Sequence, residues 1–179
     1  GFYIQTTEVT QRQWKSVMGS NPSYFINCGD DCPVEQVSWE DVQEFIKKLN
    51  HMEGENRYRL PTEAEWEKAA RGTQGQTYPW GDAFRKDNVN STNDYGGTTP
   101  VDEFPGGGSP YGVMDMVGNV VEWCADWYYD EYYKVSPLDN PTGPEGGQYR
   151  VIRGGFYGEN RLGVRCSSRH FSPPSTMQD

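Results

Sequence analysis

Histidine is scarce in this chain. Only His51 and His170 occur, which excludes a three-histidine metal centre built within it. Long apolar runs are missing too, so nothing in the sequence reads as a membrane span, and no signal peptide is recognisable. Basic residues are outnumbered: 16 Lys and Arg stand against 26 Asp and Glu, a formal net charge of −10. That balance excludes a nucleic-acid partner, whose phosphates require a basic face. Cysteine is limited to four positions, with no CxxC and no histidine beside a cysteine pair.

What the chain has in quantity is glycine (21), tyrosine (12) and tryptophan (6), at a mean hydropathy of −0.88. A disordered chain would be poor in aromatics. The composition describes a loop-heavy aromatic fold, and 179 residues suit one domain with a sizeable core. Cys28-Gly29-Asp30-Asp31-Cys32 lies in a polar stretch, where a small disulfide loop is favoured over a metal pair. That in turn favours an extracytoplasmic location. Cys124 and Cys166 sit in apolar or tightly patterned runs and are expected to be buried thiols.

Three helices are expected. Thr10 caps the first, with Gln13 as reciprocal partner and Trp14, Val17 and Met18 facing inward before Gly19 ends it. Ser38 opens the second, with Glu40 and Asp41 in its first turn, an apolar stripe of Trp39, Val42, Phe45, Ile46 and Leu49, and Lys47 and Lys48 near its close. Thr62 and Glu65 form a capping box for the third, which runs to Gly72, and capping accounts for its acidic start. Short strands are expected at Phe2–Ile4, Arg57–Leu60, Val101–Phe104 and Arg150–Arg153. Gly1–Ile4 reads as mid-strand, leaving room for a leader or anchor upstream. The tail after Phe156 shows neither helical nor strand period.

The run from Tyr111 to Trp127 is central. It places Asp115, Asn119, Glu122 and Asp126 among apolar residues, where an ionised carboxylate is costly without compensation. Two readings stand: a structural Ca2+ site formed by carboxylates and backbone carbonyls, or a buried turn whose carboxylates cap N–H groups. The long loop from Gly72 to Pro110 carries closely spaced Asn and Asp with no evident basic partner. It suits a second cation site or a series of Asx-turns.

Six ordered motifs then come together: Glu8-Val9-Thr10, Pro33–Trp39, Arg59–Glu67, Tyr78–Gly81, Gly118–Trp123 and Arg150–Gly155. They resemble the formylglycine-generating-enzyme (sulfatase-modifying-factor) family across almost the whole chain. The resemblance implies an α+β, C-type-lectin-like fold over residues 1–179 as a single domain, lacking the family's outermost N- and C-terminal strands. It also implies Ca2+ at one or two sites, the first at Asp115, Gly118, Val120 and Glu122, the second at Asn88, Val89, Asn93 and Tyr95.

The family's enzymes hold copper with two cysteines just after the Arg-x-x-Arg-Gly-Gly strand, because Cu(I) prefers soft thiolates. Here the first of those positions falls near Glu159, and the second has no counterpart. Cys166 matches a structural cysteine, so no copper is expected. The family's iron-dependent sulfoxide-synthase branch is excluded as well, for want of a histidine-bearing partner domain. The resemblance is to the non-catalytic branch, which includes variable proteins of diversity-generating retroelements. It implies a surface-display domain, in one form a cell-surface lipoprotein anchored outside this stretch. A diversified C-terminal patch would bind a protein or other surface ligand through Phe156, Tyr157, Glu159, Asn160, Arg161, Leu162, His170, Phe171 and Ser172. Arg153, Arg165 and Arg169 recur in the family pattern and are expected to be structural. The alternatives are a formylglycine-generating oxidase acting on a sulfatase cysteine, or an accessory domain of a lipoprotein or kinase.

Overall fold

The computed structural model describes residues 1–178. Helix α1 spans Gln11–Met18, α2 Trp39–Glu53 and α3 Glu63–Arg71. Each begins with a complete capping box: Thr10 with Gln13, Ser38 with Asp41, Thr62 with Glu65. Two backbone N–H groups at each helix start are thereby satisfied by local side chains, which is why these starts are readable from sequence. Helix α2 runs on past Lys48 to Glu53 and closes at Gly54 in the left-handed region.

Strands β1 (Glu122–Trp127), β2 (Arg150–Arg153) and β3 (His170–Ser172) form one antiparallel sheet in the order β1-β2-β3, and a short helix α4 (Tyr132–Val135) follows β1. The β1–β2 register is irregular between Trp123 and Trp127. The tail therefore does contain a strand. Three residues are too few to show a period of two, and β3 is defined by its pairing with β2.

Three expected strands are absent. Phe2–Ile4 is irregular, and no described strand lies beside it, although Ile4 packs on the main core. Arg57–Leu60 also lacks a ladder. The Asn50 side chain takes its hydrogen bonds instead, accepting from the N–H groups of Arg57 and Tyr58 and donating to the Tyr58 carbonyl. Val101–Phe104 is a turn: Asp102 adopts φ +63° and its N–H donates to the Asp115 carboxylate at 2.8 Å.

Two apolar clusters hold the molecule together. Trp66, Met116, Val151, Val164, Cys124 and Cys166 belong to the larger one. The smaller one joins α1 to α2, with the Trp14 and Phe45 rings stacked at 4.8 Å. Trp39 does not follow the rest of its stripe. Its Nε1 donates to the Cys124 carbonyl, and the Arg150 guanidinium lies between the Trp39 and Trp127 rings.

Candidate functional site

Three segments converge beyond the end of β2. The turn at residues 115–122 is one. Gly118 (φ +80°) packs so close to the 89–90 backbone that a Cβ would collide with the Asn90 carbonyl oxygen and the Val89 side chain. The Gly118 N–H donates to the Gly154 carbonyl, and the Tyr157 N–H to the Asn119 carbonyl. The loop at residues 90–95 reaches the same place, with Thr92 N–H donating to the Glu159 carbonyl and Asn93 N–H to the Tyr157 carbonyl, each at 2.7 Å. The 156–162 loop is thus held at its backbone by both of the others.

The turn itself is acidic. Asp115 is buried and accepts the Asp102 N–H. Glu122 accepts the Trp66 indole N–H at 2.8 Å. Part of Glu122 remains open to solvent, yet desolvation of its carboxyl pushes the pKa up to about 7. Glu8, also buried, joins them; desolvation and the neighbouring Asp115 and Glu122 hold it well above the usual carboxylate range. Among the described residues none of the three forms an ion pair. Nor do three or more His, Cys, Asp or Glu side chains converge on one point there to hold a metal. A cation here would depend on two carboxylates supplemented by backbone oxygens. Asp115 and Glu122 with the Gly118 and Val120 carbonyls would supply such a set, and hard oxygens in a desolvated acidic turn fit Ca2+.

The second expected set fits less well. The loop's carboxylate, Asp94, does have a basic partner, Lys86, at 2.9 Å, and it also accepts from the Thr92 hydroxyl. Asn88 packs against Gly106 and Gly107, and the Tyr95 ring against Phe104. Asn88, Val89, Asn93 and Tyr95 would offer only neutral oxygens beside an ammonium group.

The C-terminal candidates fall into two groups. Phe156, Tyr157, Glu159, Asn160, Arg161 and Leu162 line one loop, where Asn160 and Arg161 are exposed and Leu162 is 54% exposed. Phe156 packs edge-on against Tyr157, Tyr157 against Phe25, and Phe25 against Tyr24, a chain of rings at 5.0–5.4 Å. His170, Phe171 and Ser172 belong to β3 instead, where Phe171 packs on Tyr128 and Tyr149. Ser172 is buried, with its hydroxyl accepting from Gln178, so it is not a surface contact. Residues 170–172 are thus set by their pairing with β2, and Phe171 packs in a different ring cluster from that of Phe156 and Tyr157.

Sequence reasoning missed Tyr24 (75% exposed) and Ile26 (57% exposed) at the far end of this ring chain. Their loop is braced by the Cys28–Cys32 disulfide and by the buried Glu35 carboxylate, which accepts the N–H groups of Tyr24 and Phe25. The spacing of Cys28 and Cys32 was the available signal. Its partner loop lies more than a hundred residues further on.

The fold, loop-rich with short helices and a small three-stranded sheet, is that of formylglycine-generating-enzyme-like proteins. The sequence pattern of the sulfatase-modifying factor enzyme 1-like domain matches residues 1–179, and the chain belongs to that family. It is 43% identical to the serine/threonine-protein kinase pkn1 of Chlamydia caviae, over 81% of this chain and 22% of the kinase. It is 39% identical to the formylglycine-generating enzyme of Streptomyces coelicolor, over 70% of this chain and 42% of the enzyme. Among solved structures, Treponema denticola variable protein 1 superposes with a TM-score of 0.81 at 27% identity, covering 95% of this chain and 78% of that one. PvdO from Pseudomonas aeruginosa gives 0.80 at 26%, covering 97% and 75%. The chain thus spans less than half of these two sequence relatives, and its relatives include formylglycine-generating enzymes, kinases and a variable protein. No helix among the described residues is long and apolar enough to cross a membrane.

Proposed function

We propose that this domain is a non-catalytic ligand-binding module, displayed outside the cytoplasm, whose binding face is the 156–162 loop together with Tyr24 and Ile26. The observation that carries the reading is the donor set beyond β2. Glu159, packed beside Gly155 and Gly163, stands where the enzymes' first copper-ligating cysteine is expected. The two free thiols, Cys124 and Cys166, are fully buried in the core. Neither can join a dithiolate site on that loop, so the oxidation of a substrate cysteine lacks its metal. Exposed aromatic and aliphatic side chains beside Arg161, on backbone held from several sides, are instead the materials of a protein-binding face.

The structural similarity to the Treponema variable protein supports diversification of the face. The disulfide supports an extracytoplasmic location. One structural Ca2+, held by Asp115, Glu122 and the carbonyls of Gly118 and Val120, would offset the acidic turn and stiffen the backbone on which the face is hung.

Incubation with Cu(I) and a cysteine-containing sulfatase peptide tests the central point. Mass spectrometry should find no aldehyde, and turnover would overturn the reading. Sequencing sister copies of the gene tests the diversification. Substitutions should concentrate between residues 156 and 162, and even scatter along the chain would remove that part.

A further inference from the structure

Glu8 is separated from the acidic turn by more than a hundred residues of sequence, yet it is bonded directly to it. One oxygen, Oε2, accepts from the Asn119 side-chain amide at 2.9 Å, and Oε1 accepts from the Val120 N–H at 3.4 Å. Asn119 lies in the left-handed region at φ +58°, which asparagine tolerates better than most residues. Its amide is engaged on every side. Nδ2 also donates to the Thr99 carbonyl, and Oδ1 accepts from the Thr99 N–H at 3.0 Å and from the Asn90 amide at 3.2 Å. Among the described residues, Glu8 supplies the only charged partner in this network. Both its oxygens are directed onto the turn's own donors, so it is not a third carboxylate shared with Asp115 and Glu122 around one point.

We propose that Glu8 is the positioning residue of the calcium turn: by bonding Asn119 and the Val120 N–H it fixes the backbone that carries the Gly118 and Val120 carbonyl oxygens. The inference rests on the calcium reading above. It makes cation binding dependent on docking of the N-terminal segment Glu8-Val9-Thr10, which leads directly into α1.

The test is Tb3+ luminescence sensitised by Trp66, whose indole N–H bonds Glu122, with Ca2+ competition to give the affinity. Glu8→Asp keeps the charge but shortens the reach, and should weaken Ca2+ binding about tenfold or more, as should Glu8→Ala. Glu8→Gln removes the charge but keeps one acceptor, and should weaken it less than Glu8→Asp does. The reverse order would show that Glu8 acts through charge alone and overturn the proposal, as would wild-type affinity in all three variants. If the wild type binds neither ion, the calcium reading itself falls. Amide exchange on the wild type gives a second readout should the variants fail to fold. Added Ca2+ should slow exchange in residues 8–11 as well as 115–122, and protection confined to the turn would overturn the proposal.

Discussion

Glu63 shows most plainly how much one side chain holds here. It is 1% exposed, and it accepts from Arg153 at 2.8 Å and from Arg169 at 2.6 and 2.8 Å. Arg153, fully buried, also reaches Glu67 at 2.7 Å and the Cys166 carbonyl, with its guanidinium over the Trp66 ring. Capping explains Glu65 at the start of α3, but Glu63 has a different role: it ties α3 to the end of β2 and to the tail. Glu63→Gln leaves Arg169 without a carboxylate and buried Arg153 with Glu67 alone, and should cost about 3 kcal/mol in urea denaturation. Arg12→Ala breaks only exposed pairs with Asp30 and Asp31 and should cost about 1 kcal/mol or less. The sequence could not distinguish the two acids of the α3 start, because the arginines lie 90 and 106 residues downstream. Arg153 and Arg169 meet the expectation of structural arginines, whereas Arg165 is exposed. Burial also pushes the Cys166 thiol up to about 12 and raises the Cys124 thiol well above its usual range. A thiol reagent should therefore label no cysteine in the native, unreduced protein and two after unfolding.

At the scale of elements, the local signals divide by reach. Each helix start is specified by residues three apart, so the three boxes were legible. Thr62→Ala should cost about 1 kcal/mol, read as a lower denaturation midpoint at unchanged slope. Two of the failed strands share one cause: a strand requires a partner, and Arg57, Tyr58 and Asp102 are satisfied by the side chains of Asn50 and Asp115 instead. The Cys28–Cys32 pair closes a short loop, so replacing both with serine should cost about 2 kcal/mol. On the proposed function it should also weaken ligand binding, because Tyr24 and Ile26 would lose a brace. A variant that binds as tightly as the wild type would show that the loop lies outside the face.

At the scale of the whole molecule, buried acids set the pH response. Desolvation raises Glu8, Asp115, Glu122 (to about 7) and Asp126 (to about 6). An acid whose folded pKa lies above its unfolded value favours folding while protonated, and that contribution is lost as pH rises through the folded pKa. In EDTA, thermal melts should therefore show a lower Tm at pH 8 than at pH 5. If Ca2+ fills the turn, it should raise Tm more at pH 8, where protons no longer compete. About 1 kcal/mol corresponds to roughly 2–4 °C in a domain of this size, so differential scanning calorimetry resolves the effect. Equal shifts at both pH values would argue against binding at the carboxylates.

The sequence by itself determined the family, the three capped helices, the burial of Cys124 and Cys166, and the cysteine pairing. Each is encoded by residues close together or by an ordered series of motifs that needs no coordinates. Only the tertiary structure decided that Arg153 and Arg169 share Glu63, that Lys86 neutralises Asp94, that Glu8 grips the acidic turn, and that Tyr157 packs on Phe25 while Phe171 packs on Tyr128 and Tyr149. Most of these contacts span tens of residues to more than a hundred. Such contacts depend on how loops cross in space, and a loop-rich chain has no repeating period from which those crossings could be read.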